Sequence, residues 1–491
     1  MSLGSKRQAV VIGAGLGGLS AAIHLRLAGW QVTVLEAGRS TGGRANRLML
    51  GGLPFDTGPT LLNYPWIFQD LFRAAGRDLS QYVKLLPVDP SITYRWPDGA
   101  YLTLSSNLER LREEFERLER GAARGLDRFM EDAAAKFRIT FDKLVLRNDR
   151  NPLRYFSVLS AAEIRRTALW RSMYREIGRF FRSPRLRQAL GSYAMYLGGS
   201  PFDLPGLFTI LPYGELAEGL WLPEGGIYSL VAATEKLARE LGVAIHTGKR
   251  VRRILHRNGK VVGILLEDGA EIGSSVVASN VDVPSTLSDL AGQPVPMLKM
   301  SPSVITFYWV VEGRRPGLGH HTIYLPHDYA AAFRELNYGR AIPSDPAFYV
   351  AAPAVSDPTL AQDVRSGVFV LVPTPLLDRL AGVDWAAETC RVREIVLQRL
   401  QRSGAGLTSA SILMERVWTP WEWKQRFGLY DGSAFGAAHT LSQMGPFRPP
   451  NYSQRLRGLY FVGASTTPGT GMPMVVLSGR LVSERIQQHV C

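Results

Sequence analysis

The hydrophobic pattern at the start of the chain predicts a strand, a helix and a second strand. An apolar run at 9–12 predicts a buried strand, and helical spacing over 19–27 predicts a helix that ends at Gly29. A second apolar run at 31–35 stops at Glu36. Because a crossover helix joins parallel strands of one sheet, this order predicts a βαβ unit.

Further along, short apolar runs alternate with turn residues and then with helical patterns. Turns at Pro97-Asp98-Gly99, Asn258-Gly259 and Asp268-Gly269 are typical of antiparallel hairpins. The strands predicted on this basis are 92–96, 101–104, 243–246, 251–255, 261–266, a short run after Gly269, and 276–278. Residues 107–190 have a mostly helical pattern, and 220–226 predict a loop that opens a helix ending at Leu241.

Long apolar runs between 300 and 450 predict one broad sheet. The clearest runs are 304–311, 348–350 and 368–372. Such a sheet forms either an ordinary core or the wall of a long apolar tunnel, and Trp418, Trp421 and Trp423 either line that tunnel or anchor a loop. No stretch of ~18 apolar residues predicts a membrane span. The apolar run at 9–12 is assigned to the first strand rather than to a signal peptide.

Three glycines between the first strand and the helix have the spacing G-x-G-x-x-G. Gly13 allows a tight turn, Gly15 lets the backbone approach a pyrophosphate, and Gly18 lets the helix pack closely on the strand. The positive end of the helix favours phosphate, and Glu36 stands where a carboxylate accepts hydrogen bonds from ribose hydroxyls. The unit predicts a dinucleotide site and does not separate NAD from FAD.

Two further motifs favour FAD. Gly42-Gly43-Arg44 follows the second strand, where it either holds Arg44 near the cofactor phosphates or forms a surface turn with a solvated arginine. Near the other end of the chain, an apolar run at 459–462 enters a glycine loop that leads to Pro473 and a helical pattern. The N-terminus of that helix suits the anionic ring of a reduced flavin, whereas a nicotinamide needs no second glycine loop.

Motifs across the whole chain resemble the carotenoid desaturases of bacteria and fungi, which are flavoproteins of the phytoene desaturase type. The matching stretches are GAGLGGLSAAIHL, GGRANR, FDTGPTLL, HHTIYLP, GSAFG and LYFVGASTTPGTGMP. The terminal motifs are shared with amine oxidases, and the middle motifs and the PGTGMP loop favour the carotenoid branch. The chain departs from the family at Thr467, where the family usually has a histidine.

The resemblance implies an α/β fold in which a Rossmann-like FAD-binding domain, of the flavin amine oxidase or p-hydroxybenzoate hydroxylase type, is interwoven with a mixed-sheet substrate domain and a helical, basic cap. The implied FAD domain is 1–90, 222–290 and 452–491, the substrate domain 91–105 and 291–451, and the cap 106–221. The implied FAD-binding residues are Gly13, Gly15, Gly18, Glu36, Gly43, Arg44, Gly58, Val251 through its backbone, Gly463, Ala464, Gly471 and Met472.

The charge of the chain is concentrated in the predicted cap. The net charge is +14, and residues 147–187 contain eleven arginines against three acidic residues, with aromatic residues interleaved. A basic helical segment with apolar faces favours an anionic membrane surface. A solvated helical face is the alternative, and the flavin motifs disfavour nucleic acid. We therefore expect a cytoplasmic protein bound peripherally to a membrane.

Other chemistry has little support in the sequence. The two cysteines, Cys390 and Cys491, predict no structural disulfide, and the scattered histidines predict no metal site. Adjacent strand residues face opposite ways, so His320 and His321 are expected to serve ordinary packing. The resemblance assigns no catalytic acid or base, and Glu215, Glu218 and Glu224 are interpreted as structural.

The resemblance implies an FAD-dependent carotenoid dehydrogenase that removes a hydride and a proton from a C40 or C30 polyene, with a quinone or oxygen as electron acceptor. The alternatives within the family are a later-acting 3,4-desaturase of hydroxylated carotenoids, an oxygenase of a terminal methyl group, and a flavin-dependent isomerase. More distant alternatives are an amine oxidase, which the basic charge disfavours, and a carotenoid-binding protein without redox activity.

Overall fold

The computed structural model of the chain describes residues 7–313 and 317–490. Its central element is a five-stranded parallel sheet assembled from distant parts of the chain. The strands, in spatial order, are Leu459–Phe461, Val277–Ser279, Gln8–Ile12, Gln31–Leu35 and Ala244–His246. The predicted βαβ unit and the α/β fold with a Rossmann-like sheet are confirmed, with the first helix at Leu16–Leu27.

The parallel sheet is covered on both faces, which explains its nearly continuous apolar strands. One face packs against the helices Leu16–Leu27, Ile227–Glu240 and Met472–Val490. The other packs against an antiparallel meander of Val251–Arg257, Lys260–Leu266 and Glu271–Gly273. The meander confirms the strands predicted around the Asn258-Gly259 and Asp268-Gly269 turns.

A second, mixed sheet of eight strands confirms the broad sheet predicted from the long apolar runs. Its strands, in spatial order, are Ile412–Trp418, Ser303–Glu312, Arg365–Thr374, Phe348–Ala351, His321–Tyr324, Thr93–Arg95 and Tyr101–Thr103, with Ala361–Gln362 paired beside Arg365–Thr374. Ser303–Glu312 is buried almost throughout because alternate residues enter two cores. Phe307 and Trp309 face the helix Trp385–Arg402, whereas Tyr308 faces a cluster that contains Trp418.

Helices form a third layer and most of the remaining surface. The α-helices outside the parallel-sheet layer are Pro65–Ala74, Leu108–Leu118, Ala122–Arg138, Pro152–Phe156, Ala161–Arg166, Met173–Ile177, Pro184–Gly191, Ile210–Glu218, Val283–Ser285, Tyr329–Tyr338, Trp385–Arg402 and Pro420–Phe427. The mostly helical pattern predicted for 107–190 is confirmed. The arginine-rich part is broken into short helices, each begun by an Asn or Ser cap or by Pro at its first position.

Two sequence-based predictions are wrong in detail. Residues 220–226 are not simply a loop, because Leu220–Pro223 is a strand paired with Leu85–Val88, and the following helix is Ile227–Glu240. His320 and His321 do not face opposite ways: their rings lie 4.0 Å apart, since His320 precedes the strand that begins at His321.

The tryptophans do not line an apolar tunnel. Trp418 and Trp423 pack together in the core with ring centroids 5.5 Å apart, and Trp421 is exposed. Cys390 is a free, exposed cysteine on the helix Trp385–Arg402, and Cys491 lies outside the described residues. The predicted domain boundaries stay a prediction.

Candidate cofactor and substrate site

Two cavities meet inside the molecule, and the predicted site residues surround one of them. The first, the cofactor cavity, has a volume of about 560 Å³ and extends between the two glycine turns. Eleven of the twelve predicted cofactor residues line it: Gly13, Gly15, Glu36, Gly43, Arg44, Gly58, Val251, Gly463, Ala464, Gly471 and Met472. Gly18 lies behind the wall, where a Cβ would come 2.1 Å from the Gly13 carbonyl oxygen. Gly18 thus has the packing role that the motif predicts.

The backbone geometry at the first glycine turn lets a ligand approach the main chain closely. Gly13 has φ +92°, a conformation that favours glycine, and Gly15 precedes the helix Leu16–Leu27. The Glu36 carboxylate accepts hydrogen bonds from the Ala14 and Gly38 N–H groups, both at 2.7 Å. These bonds fix the Glu36 side chain in the wall of the cavity.

Asn280 joins the two glycine turns, and sequence reasoning missed it. Its Oδ1 accepts a hydrogen bond from the Gly18 N–H at 2.9 Å, and its Nδ2 donates one to the Val462 carbonyl at 3.2 Å. A Cβ at Gly463 would lie 2.8 Å from the same Nδ2. Its position one residue after the strand Val277–Ser279, at the carboxyl edge of the parallel sheet, is the signal that could have found it.

Arg44 is a half-buried cation in the wall of the cofactor cavity. Its Nη1 donates a hydrogen bond to the Ala434 carbonyl at 2.6 Å. Burial lowers the pKa of Arg44, and the nearby Asp282 partly offsets this effect. Burial raises the pKa of Asp282, which accepts a hydrogen bond from Ser465. Arg44 therefore contacts the middle GSAFG motif and stands beside the C-terminal glycine loop.

A buried arginine, Arg448, supports that loop from behind. Its guanidinium donates hydrogen bonds to the carbonyls of Thr466 at 2.8 Å and of Ala464. It also binds the carbonyls of Ala437 at 3.0 Å and Gln443 at 3.1 Å. Burial lowers its pKa to about 9. No motif marked this residue, because a single arginine in a loop gives no periodic signal.

The second cavity, the apolar tunnel, has a volume of about 340 Å³. Its walls come from the cap, the broad sheet and the C-terminal glycine loop. Representative lining residues are Phe141, Leu144, Phe156, Leu211, Ile323, Phe348, Phe435, Met444 and Phe447. Among the residues that the structure describes, Arg147 is the only lysine, arginine or carboxylate in this lining. The tunnel is therefore suited to a long hydrocarbon.

The two cavities share part of their walls. The residues that line both are Gly58, Pro59, Tyr196, Leu371, Phe435, Thr470, Gly471 and Met472. This shared wall, which we call the junction, places the start of the helix Met472–Val490 between cofactor and tunnel. A ligand in the tunnel therefore reaches the inner end of the cofactor cavity.

His439 supports the glycine loop on the tunnel side. Its Nε2 accepts a hydrogen bond from the Thr470 N–H at 3.3 Å, and a Cβ at Gly469 would lie only 2.4 Å from that nitrogen. Burial lowers the pKa of His439 well below its usual value, so the ring is neutral. Thr467, the position at which the chain departs from the family pattern, lines the same tunnel.

No group of His, Cys, Asp and Glu within 7–313 and 317–490 has an arrangement that could hold a metal ion. The cofactor cavity instead fits a dinucleotide, because two helix N-termini, a half-buried arginine and side-chain-free glycines meet there. Fold and site together define an FAD-dependent oxidoreductase.

Comparison with known proteins agrees with this class. The chain matches the family model of flavin-containing amine oxidoreductase over residues 16–310 and that of FAD-dependent oxidoreductase over 182–485. It is 38% identical to a zeta-carotene-forming phytoene desaturase of Myxococcus xanthus, over 98% of this chain and 94% of that protein. It is 34% identical to a 4,4'-diapolycopene oxygenase of a Methylomonas species, over 99% of each chain.

A solved oxidoreductase of Methanosarcina mazei has the same fold, with a TM-score of 0.64 at 20% identity over 97% of this chain and 100% of that one. The chain belongs to the flavin-containing amine oxidoreductases and, within them, to the carotenoid desaturase family.

Proposed function

We propose that the chain is a desaturase that introduces carbon–carbon double bonds into phytoene or a related C40 or C30 polyene. The observation that carries the proposal is the apolar tunnel that opens at the junction onto the cofactor cavity. When bound, FAD supplies the oxidising ring that takes up a hydride. The relatives named above act on carotenoids and support the choice of substrate class.

The chain itself holds and aligns the hydrocarbon substrate and excludes water from the junction. The aromatic side chains of Phe141, Phe208 and Phe435 restrict the bends that a flexible hydrocarbon can make in the tunnel. The nearly uncharged lining excludes water from the junction, which protects a cationic polyene from attack by water. Among the described residues the tunnel lining contains no carboxylate to pair with a charged amine, and this disfavours an amine oxidase.

We also propose which residues contact FAD, from their positions in the lining of the cofactor cavity. Gly13 and Gly15 face the pyrophosphate, Glu36 the adenosine ribose, and Arg44 the phosphate side of the cavity. Val251 begins its strand at the adenine end. Gly463, Ala464, Gly471 and Met472 surround the flavin end, and Gly58 lies at the junction.

We also propose that the segment 146–170, part of which lines the tunnel, rests on an anionic membrane surface. Side chains of the segment 146–170 are exposed although apolar: Leu146, Leu153, Val158, Ile164 and Trp170. The adjacent loop adds Leu441 and Phe447, which also line the tunnel. Arg154, Arg165 and Arg166 are exposed within the same segment. Among the described residues, no helix has the length and apolar content needed to span a bilayer.

The decisive experiment presents purified protein and FAD with phytoene in liposomes of anionic lipid. A desaturase gives products of longer absorption wavelength and lower mass, with either a quinone or oxygen added as acceptor in separate arms. Activity confined to a hydroxylated carotenoid would select the later-acting desaturase, and oxygen incorporation the oxygenase. Altered geometry at constant mass would select the isomerase, and an unchanged pigment under every condition would refute the proposal.

A further inference from the structure

Tyr196 places a hydroxyl group at the junction. The residue belongs to the short helical turn Ser192–Leu197 of the cap, and it lines both the tunnel and the cofactor cavity. Its phenol oxygen donates a hydrogen bond to Glu215 Oε2 at 3.3 Å. Among the residues shared by the two cavities, Tyr196 is thus the one whose side chain leads from the junction to a carboxyl group.

Glu215 itself lies behind the wall and is only 1% exposed. It projects from the helix Ile210–Glu218, and its Oε1 accepts a hydrogen bond from Ser91 Oγ at 2.8 Å. Within the described parts of the chain, no lysine, arginine or histidine forms an ion pair with it. Burying a carboxyl group without a neighbouring cation destabilises the fold, so we infer that Glu215 has a functional role.

The groups that face Glu215 are hydroxyls and aromatic rings rather than charges. Ser91 and Tyr94 come from the edge of the broad sheet, and Tyr193 and Tyr196 from the cap. Tyr64 and Tyr349 lie farther off and feel its charge. Burial raises the pKa of Glu215 to about 7, and the surrounding hydroxyls oppose that rise. Both protonation states of Glu215, the acid and the carboxylate, are therefore populated near neutral pH.

We propose that Tyr196 and Glu215 form the route by which the substrate proton leaves the junction. The inference rests on the proposed desaturase function. After a hydride has departed from one carbon, the neighbouring C–H bond breaks and its electron pair becomes the new double bond. The Tyr196 oxygen takes that proton while its own proton passes to the Glu215 carboxylate. Tyr196 is the catalytic residue, and Glu215 is a positioning residue that acts through it.

A second tyrosine in the tunnel wall offers a matched comparison. The Tyr349 hydroxyl contacts Thr60 Oγ1 and His321 Nδ1, each at 2.6 Å. Burial and the adjacent His320 lower the pKa of His321 well below its usual value, so this imidazole is a poor proton acceptor. The chemistry behind the two hydroxyls therefore selects Tyr196 over Tyr349 as the exit for a proton.

The test compares Glu215→Gln and Tyr196→Phe with two controls. Glu218→Gln alters an exposed carboxyl on the same helix, and Tyr349→Phe removes a different tyrosine hydroxyl of the tunnel wall. Retained FAD absorbance shows that each variant has folded. The rate of anaerobic bleaching of bound FAD by phytoene is followed against pH in a single turnover. In the wild type this rate should rise with a midpoint near 7.

Glu215→Gln should remove that pH dependence and slow the alkaline rate by roughly 100-fold. Tyr196→Phe should do the same, whereas Glu218→Gln should keep the wild-type rate and profile. Tyr349→Phe changes the tunnel wall, so its rate can differ, but the midpoint near 7 should stay. An unchanged profile in Glu215→Gln or Tyr196→Phe would overturn the proton route. A profile lost in Tyr349→Phe as well would show a general effect on the tunnel and would also overturn it.

An infrared titration of the FAD-loaded protein without substrate gives a reading that does not depend on activity. A carboxylic acid band that titrates near pH 7 should vanish in Glu215→Gln and shift in Tyr196→Phe. A wild-type protein that no carotenoid bleaches would refute the proposed function but leave this reading intact. The absence of such a band, or its indifference to Tyr196→Phe, would refute the route alone.

Discussion

The Asn280 side chain accepts a hydrogen bond from the Gly18 N–H at 2.9 Å, and these two residues are 262 positions apart in the chain. The same amide donates to the Val462 carbonyl. One side chain therefore holds the first helix turn against the C-terminal strand end. The cofactor cavity depends on this link, because its two glycine turns come from opposite ends of the sequence.

Replacing Asn280 with alanine should weaken both stability and FAD binding. We expect a loss of about 1–3 kcal/mol in the free energy of unfolding, since two partly buried backbone groups lose their partners. Chemical denaturation of the FAD-loaded protein and the fraction of FAD retained after gel filtration measure the two effects. Asn280→Asp keeps the acceptor for Gly18 and loses the donor to Val462, so an intermediate stability is expected. Equal stability of all three proteins would contradict the link.

Arg448 should be as important to FAD retention although it does not line the cofactor cavity. Its guanidinium binds carbonyls of both Ala464 and Ala437, so it joins the C-terminal glycine loop to the segment before His439. Arg448→Met leaves those buried carbonyls without donors, and we expect a loss of about 2–4 kcal/mol and poor FAD retention. Arg448→Lys should rescue little, because an ammonium cannot reach the same planar array. Full FAD retention in Arg448→Met would refute this role.

Local patterns predicted much of the fold and of the cofactor site. The glycine spacing and the acidic residue after the second strand predicted that Gly13, Gly15 and Glu36 lie together at the cavity, because turns and strand ends follow from short stretches of sequence. That these residues bind FAD stays a prediction. Asn280, Arg448 and His439 escaped prediction because each acts across long sequence separations through a side chain that any loop can carry. The pairing of Leu220–Pro223 with Leu85–Val88 was missed because strands far apart in sequence leave no local signal of their pairing. The sequence alone favours a structural interpretation of Glu215, because its isolation from cations arises only on folding.

A buried ion pair in the cap supplies a test of stability away from the cofactor. Lys136 Nζ lies 2.9 Å from Glu176 Oε1, and both side chains are fully buried. Lys136→Met removes a fully buried partner of Glu176 but leaves its ion pairs with Arg171 and Arg179, so we expect a loss of about 1.5–3 kcal/mol in the free energy of unfolding. The double variant with Glu176→Leu should lose less than the sum of the two single variants, because each single substitution breaks the same Lys136–Glu176 contact. Additive losses in the double variant would contradict a coupled pair.

The pH dependence of the free energy of unfolding should reflect the raised pKa of Glu215. The folded protein raises the pKa of this carboxyl from 4.5 to about 7, so the native state binds more protons than the unfolded state between these values. Stability therefore falls as pH rises through that window, by about 1.4 kcal/mol per pH unit at most. Glu215→Gln removes this contribution, so its unfolding free energy relative to the wild type should increase from pH 4.5 to 7 and then level off. Urea denaturation across pH measures it, and parallel profiles would refute the shift.

Membrane docking should depend on the exposed apolar side chains of the segment 146–170 as well as on charge. Leu153 is 84% exposed and Trp170 57% exposed, within the arginine-rich segment. Replacing both with serine should abolish most sedimentation with phosphatidylglycerol liposomes, because burial of such side chains in the interface supplies about 1.5–3 kcal/mol each. Met297→Ser, which changes a fully exposed side chain outside that segment, is the matched control. High salt should weaken the residual binding of the double variant, since the arginines then supply a larger share of the attraction to the lipid headgroups. Equal sedimentation of the double variant and the wild type, or equal binding to neutral phosphatidylcholine, would show that this surface does not dock on an anionic membrane.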